Sequence, residues 1–114
     1  MHITINSPKI WLYNVAVDFR KGISGLTSLI SGLENIDVHK DVFVFYNSNI
    51  SKLKVLAWHR NGFVLIYKCL DRKKFTVSAN DIMLINSQQF SWLLAGMDWI
   101  TMSDFSELEY DNYF

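Results

Sequence analysis

Side-chain catalysis in this 114-residue chain would have to draw on three histidines, one cysteine and eleven carboxylates, and their spacing assembles no reaction centre. His2, His39 and His59 are far apart and Cys69 has no second cysteine, whereas zinc sites use clustered Cys and His ligands. Cys69 lies in the apolar run 63–70 and reads as a core residue, since a reactive thiolate needs a cationic neighbour or a base. His59 stands beside a turn, with no acid or nucleophile placed with it by motif, so general-base chemistry has no support. Metal-dependent phosphoryl transfer needs several carboxylates together. Asp18, Asp71, Asp81 and Asp98 are scattered, at places where acids cap or turn a chain. A Gly-rich, Lys-terminated phosphate loop does not occur. The expectation is a non-enzymatic protein with neither metal nor cofactor.

Binding chemistry is better represented. Arg20-Lys21-Gly22-Ile23-Ser24-Gly25 puts two cations at the start of a helical pattern, where free backbone N–H groups attract anions. The stretch superficially resembles the Gly-x-x-Gly loop of KH domains. Two readings stand: phosphate contact, or glycines that permit close packing beside a solvated Arg-Lys pair. Charge is also segregated. Residues 52–80 balance at +6, through Lys52, Lys54, Arg60, Lys68, Arg72, Lys73 and Lys74 against Asp71, and residues 81–114 balance at −6. Such asymmetry fits a basic binding surface with an acidic tail, or two halves that neutralise one another in the fold or in an oligomer.

The elements that must position these residues follow from periodicity. Ile10–Val15 reads as a strand. Asp18 is a candidate N-cap for an amphipathic helix over roughly 19–33, with Phe19, Ile23, Leu26, Leu29, Ile30 and Leu33 at spacings of three and four. Val42–Tyr46, Leu53–Trp58, Phe63–Leu70, Phe75–Ser78 and Ile82–Ile85 are short apolar runs with turn signals between them, Asn61-Gly62 being the sharpest. They predict an antiparallel meander of four to five strands. Asn86 with Gln89 resembles a capping box for a second helix over roughly 87–97, striped by Phe90, Leu93, Leu94 and Met97. Alternation along a strand puts Lys52, Lys54, Leu56 and Trp58 on one face. Lysines beside aromatics there suit phosphates and bases, but lysine stems can equally cover an apolar face. The fold class is thus α+β, a meander plus an N-terminal strand packed with two helices.

Length fits one domain, 1–102, followed by the acidic, aromatic tail 103–114. Half the residues are hydrophobic and 15% aromatic, enough for a core without disulfides. One cysteine suits a reducing compartment. A signal peptide is not visible and the longest apolar runs fall far short of a membrane span, so a cytoplasmic protein is expected.

Three segments in register resemble the TnpB accessory protein of the IS66 insertion-sequence family. Val17-Asp18-Phe19-Arg20-Lys21-Gly22-Ile23-Ser24-Gly25-Leu26 is similar to that family's Asp-Met-Arg-Lys-Gly-x-x-Gly-Leu stretch. Val42–Phe45, then Lys52-Leu53-Lys54-Val55-Leu56-Ala57-Trp58, Asn61-Gly62-Phe63 and Tyr67-Lys68 match an apolar strand, a Leu/Ile-Lys-x-Leu-x-Trp strand and a Gly-Phe turn exit. Leu93-Leu94-Ala95-Gly96-Met97-Asp98-Trp99 resembles a Leu-Leu-x-Gly-Ile-Asp-Trp ending. The chain departs from the family in one loop, arginine-rich there and Asn47-Ser48-Asn49-Ile50-Ser51 here, and where Val77-Ser78 replace Trp-Pro. The resemblance implies a bacterial mobile-element protein encoded beside a separate transposase, which would carry the strand-cutting chemistry. Joined to the basic meander, it leads to the expectation of contact with element DNA or the transposase–DNA complex through Arg20, Lys21, Lys52, Lys54, Arg60, Lys68, Arg72, Lys73 and Lys74. The alternative is a module that contacts the transposase and no nucleic acid.

Overall fold

Apolar runs too short to span anything can still build a sheet when each finds a partner, and five of them do. The computed structural model describes residues 8–71, 74–77 and 82–102. Its elements in chain order are β1 (Ile10–Leu12), α1 (Ile23–Ile30), β2 (Val42–Tyr46), β3 (Lys52–His59), β4 (Gly62–Cys69), β5 (Met83–Ile85) and α2 (Ser87–Leu94), and residues 99–102 are again helical. One sheet has the order β4-β3-β2-β1-β5. β1 runs parallel to β2, with α1 in the connection, and every other neighbouring pair is antiparallel. The α+β class is as expected.

The sheet has a core on each face. Leu26 and Ile30 of α1 pack with Phe43, Phe45 and Leu56 on one face. Leu93 of α2 and Trp99 pack with Leu12, Val44, Leu53 and Val55 on the other. An eight-residue helix is marginal alone. Burying Leu26 and Ile30 contributes roughly 1.5–3 kcal/mol each and holds α1 in place.

Boundaries differ from the sequence reading for identifiable reasons. α1 begins at Ile23, with Gly22 as N-cap and no side-chain cap. Asp18 instead accepts from Arg20, and the carbonyls of Phe19 and Lys21, which an earlier helix start would use four residues on, accept from Lys54 Nζ. α2 keeps its capping box, with Asn86 Oδ1 accepting from Gln89 N at 2.7 Å and Asn86 N donating to Gln89 Oε1 at 2.9 Å. It stops at Leu94 because Gly96 turns left-handed (φ +74°), letting Gly96 N reach Leu93 O and Met97 N reach Trp92 O.

The meander itself has three strands, β2-β3-β4. Its β3–β4 loop is Arg60-Asn61, one residue earlier than the Asn61-Gly62 signal, with Arg60 at φ 56°. That register sets Trp58 opposite Phe63, their rings 5.0 Å apart, with His39 against both. Residues 74–77 are not in a strand, but Phe75 is buried and its N–H donates to Ile50 O. β5 crosses to the far edge and pairs with β1. Ser78, Asp81 and the tail 103–114 lie outside the described residues.

Candidate nucleic-acid interface

A strand that starts with Lys-Leu-Lys sends its two lysines to one face, and here that face is the α1 side. Lys54 therefore lies among apolar neighbours and is only 8% exposed. Its ammonium donates to Phe19 O and Lys21 O, both at 2.9 Å, and sits 4.9 Å from the Phe19 ring centroid. A buried cation is tolerable when hydrogen-bonded in this way. The consequence is local: Lys54 pins the segment 18–22 over the start of β3.

Lys52, two residues earlier, emerges beside that segment. Its backbone N–H and that of Ser51 donate to Asn47 Oδ1, each at 3.0 Å, which fixes the turn from β2 into β3. Lys52, Arg20, Phe19, Asn47, Ser48 and Tyr67 border a recess of about 640 Å³ at this end of the sheet. Phe19 and Tyr67 meet with centroids 6.2 Å apart, and Tyr67 is half exposed. Cations next to exposed aromatic faces can take a phosphate and a base together.

Arg20 carries a local neutraliser. Its guanidinium donates to both oxygens of Asp18, at 2.6–3.0 Å. Those side-chain bonds, with the Arg20 backbone N–H, hold the Asp18 carboxyl down from 3.8 to about 2, and the same pairing raises Arg20. Lys21 extends across Gly25: a Cβ there would lie 3.0 Å from Lys21 Cβ and 3.1 Å from Lys21 Cγ. Gly25 thus makes room for the lysine stem, an arrangement nearer to the packing reading of the two glycines than to the phosphate loop.

The remaining cations separate. Lys68 points to the opposite face, where its ammonium donates to Leu94 O at the end of α2. Arg60 occupies the hairpin loop at the other end of β3, about 25 Å from Lys52 by strand rise. Lys74 is exposed next to Phe75, which bonds Ile50 at the Lys52 end. Arg72 and Lys73 lie outside the described residues. Arg20 and Lys52 are therefore brought together at the recess, Lys54 lies beneath them, Lys21 is directed over Gly25, and Lys68 and Arg60 stand apart.

Asp18 as the partner of Arg20 escaped the sequence reading, which assigned it a cap. The signal was a carboxylate two residues before an arginine, too common to single out. Asp41 was also missed. It is buried and accepts from Trp11 Nε1 at 3.0 Å, Asp37 N at 2.9 Å and Lys9 N at 3.3 Å, tying the lead into β1 to the lead into β2. Among the described residues no group of three or more His, Cys, Asp or Glu could hold a metal ion, and no helix is long and apolar enough to cross a membrane.

A five-stranded mixed sheet with helices on both faces and a cationic corner defines a small α+β protein whose three resembling segments all meet the sheet. The family model described as IS66 Orf2 like protein matches residues 8–104, and the chain belongs to that family. It is accordingly an accessory protein of an insertion sequence, from a non-catalytic family. Two relatives come from Sinorhizobium fredii. Uncharacterized protein y4jC is 31% identical over 94 residues, covering 80% of each chain. Uncharacterized protein y4hO is 29% identical over 94 residues, covering 80% of this chain and 82% of its own. No solved structure matches.

Proposed function

We propose that this protein assists transposition, without catalysing it, by holding nucleic-acid backbone at the corner built from Arg20 and Lys52, with Phe19 and Tyr67 beside it and Lys21 contributing from the adjoining turn. The observation that carries the reading is the recess itself, where Lys52 and the pinned 18–22 segment set cations around exposed aromatic surface. Lys74 on the adjoining segment, and Arg72 and Lys73 by sequence, extend the positive charge. Phosphate contacts position a protein without reading sequence, so binding is salt-sensitive and weakly selective. The transposase of the same element, or its complex with DNA, is the partner, and the site of action is the cytoplasm.

Titration into labelled duplexes with and without element ends, across a range of salt, tests this. The expected result is affinity that falls steeply with salt, and a shallower salt slope for the Lys52→Glu/Lys74→Glu variant. Absence of binding at low salt by the folded protein removes the nucleic-acid role.

A second reading has its own observation. Asp18 neutralises Arg20, and Lys54 and Lys68 are spent on carbonyls. That leaves fewer cations for phosphate than the composition promises and favours direct contact with the transposase instead. Retention of the transposase by the same charge-reversed variant, with no DNA affinity in either form, selects it.

A further inference from the structure

The two edges of the sheet are unequally guarded. β5 has three residues, whereas β4 has eight, paired without interruption to β3 on one side and with no strand on its other side among the described residues. Alternate residues of such a strand turn N–H and C=O outward. Edges of monomers are normally blunted by brevity, proline, bulges or charge. β4 reads Gly-Phe-Val-Leu-Ile-Tyr-Lys-Cys, with no proline and one charge, Lys68, whose ammonium is drawn aside to Leu94 O. Val64 and Ile66 are 43% and 57% exposed on the α2 side.

We infer that β4 is a self-recognition edge, through which two copies of this chain pair antiparallel about a two-fold axis and join their sheets. The occupant follows from the register. A two-fold perpendicular to the sheet keeps each face, so opposed residues have the same parity. Centring on Val64 sets Lys68 against Arg60, which is repulsive. Centring on Ile66 sets Lys68 against Val64. Centring on Leu65 sets Val64 against Ile66 and Phe63 against Tyr67, and gives Lys68 a glycine, Gly62, across from it. The same register brings the Arg60 end of one copy towards the Asp71 end of the other, so the charges there complement. Exposed β-branched side chains become cross-strand pairs. Stable interfaces bury about 1,200–2,000 Å² in total, and one strand pairing lies at the low end, so the dimer is weak and concentration-dependent. This surface shares Tyr67 with the cationic corner but none of its cations, and its test contains no DNA.

Sedimentation of the full chain over micromolar to millimolar concentration is expected to show monomer giving way to dimer. Ile66→Lys, at an exposed position that leaves the core intact, is expected to weaken association at least about tenfold. Cys69 is the chain's one cysteine and is exposed, so a spin label there reads the register directly. Eight residues of strand rise separate the two copies of Cys69, about 27 Å between Cα atoms, against about 20 Å for the register centred on Ile66. A chain that stays monomeric at millimolar concentration, or a dimer indifferent to Ile66→Lys, overturns the proposal.

Discussion

Two lysines each tie a piece of chain to the sheet, and their settings differ. Lys54 is almost fully buried on the α1 face and serves two carbonyls of a segment that has no other cap. Lys68 is exposed on the α2 face and serves one carbonyl, at a helix end already closed by its own backbone. The donors are chemically identical. Surroundings decide how much each bond stabilises, because a carbonyl that loses its donor beside water is resolvated and one in the interior is not. A cation at a helix C-terminus adds only a modest dipole contribution when exposed.

The contrast can be broken from either side. Lys54→Met keeps the stem and removes the donor. It is expected to destabilise by about 2–3 kcal/mol in urea unfolding, as two charge-assisted bonds are lost and the relief of burying a charge offsets part. A change below about 0.5 kcal/mol would show that Phe19 packing alone holds the segment. Gly96→Ala probes the backbone closure on the other face. Its positive φ, and Leu70 methyls 3.3–3.4 Å from the added Cβ, predict a loss of about 1–2 kcal/mol, visible as a lower thermal midpoint. Lys68→Met is expected to cost less than about 1 kcal/mol, and the Lys54→Met/Lys68→Met double variant to be additive, since the two sites lie on opposite faces.

The smallest effect is electrostatic. Asp18 titrates at about 2 when folded, against 3.8 ordinarily. A depressed carboxyl pKa means the Arg20 pair contributes fully above 3.8 and is lost as pH falls towards 2. Carboxyl carbon shifts followed by NMR should give that low midpoint, and Arg20→Met should return it towards 3.8.

What the sequence disclosed was local. Asn86 with Gln89 announced the second helix because a capping box is complete within four residues. Leu56 and Trp58 in the row of Lys54 showed which face that lysine takes, but not that the face is covered by α1 and the 18–22 segment, which come from 30 residues away in the chain. The same lysine explains why the helical pattern from Phe19 is realised only from Ile23. The Asn61-Gly62 signal located the hairpin, while aromatic pairing of Trp58 with Phe63 set its final register. The parallel β1–β2 pairing and the passage of β5 to the far edge depend on non-local partners that no period encodes. Of the candidate site, the residue types were legible, but their division between two faces and two ends was not.

The position of β1 has a consequence for synthesis. Its first partner, β2, lies some 30 residues downstream, and its second, β5, pairs Ile85 with Ile10. At roughly 5–20 residues per second, β5 leaves the ribosome about 4–15 s after β1. During that interval β2, β3 and β4 can form their local ladders while one side of β1 stays open. The sheet is therefore completed last at its β5 edge, and a ribosome stalled before Ile85 would hold a chain in which β1, an interior strand of the finished sheet, is still an unsealed edge.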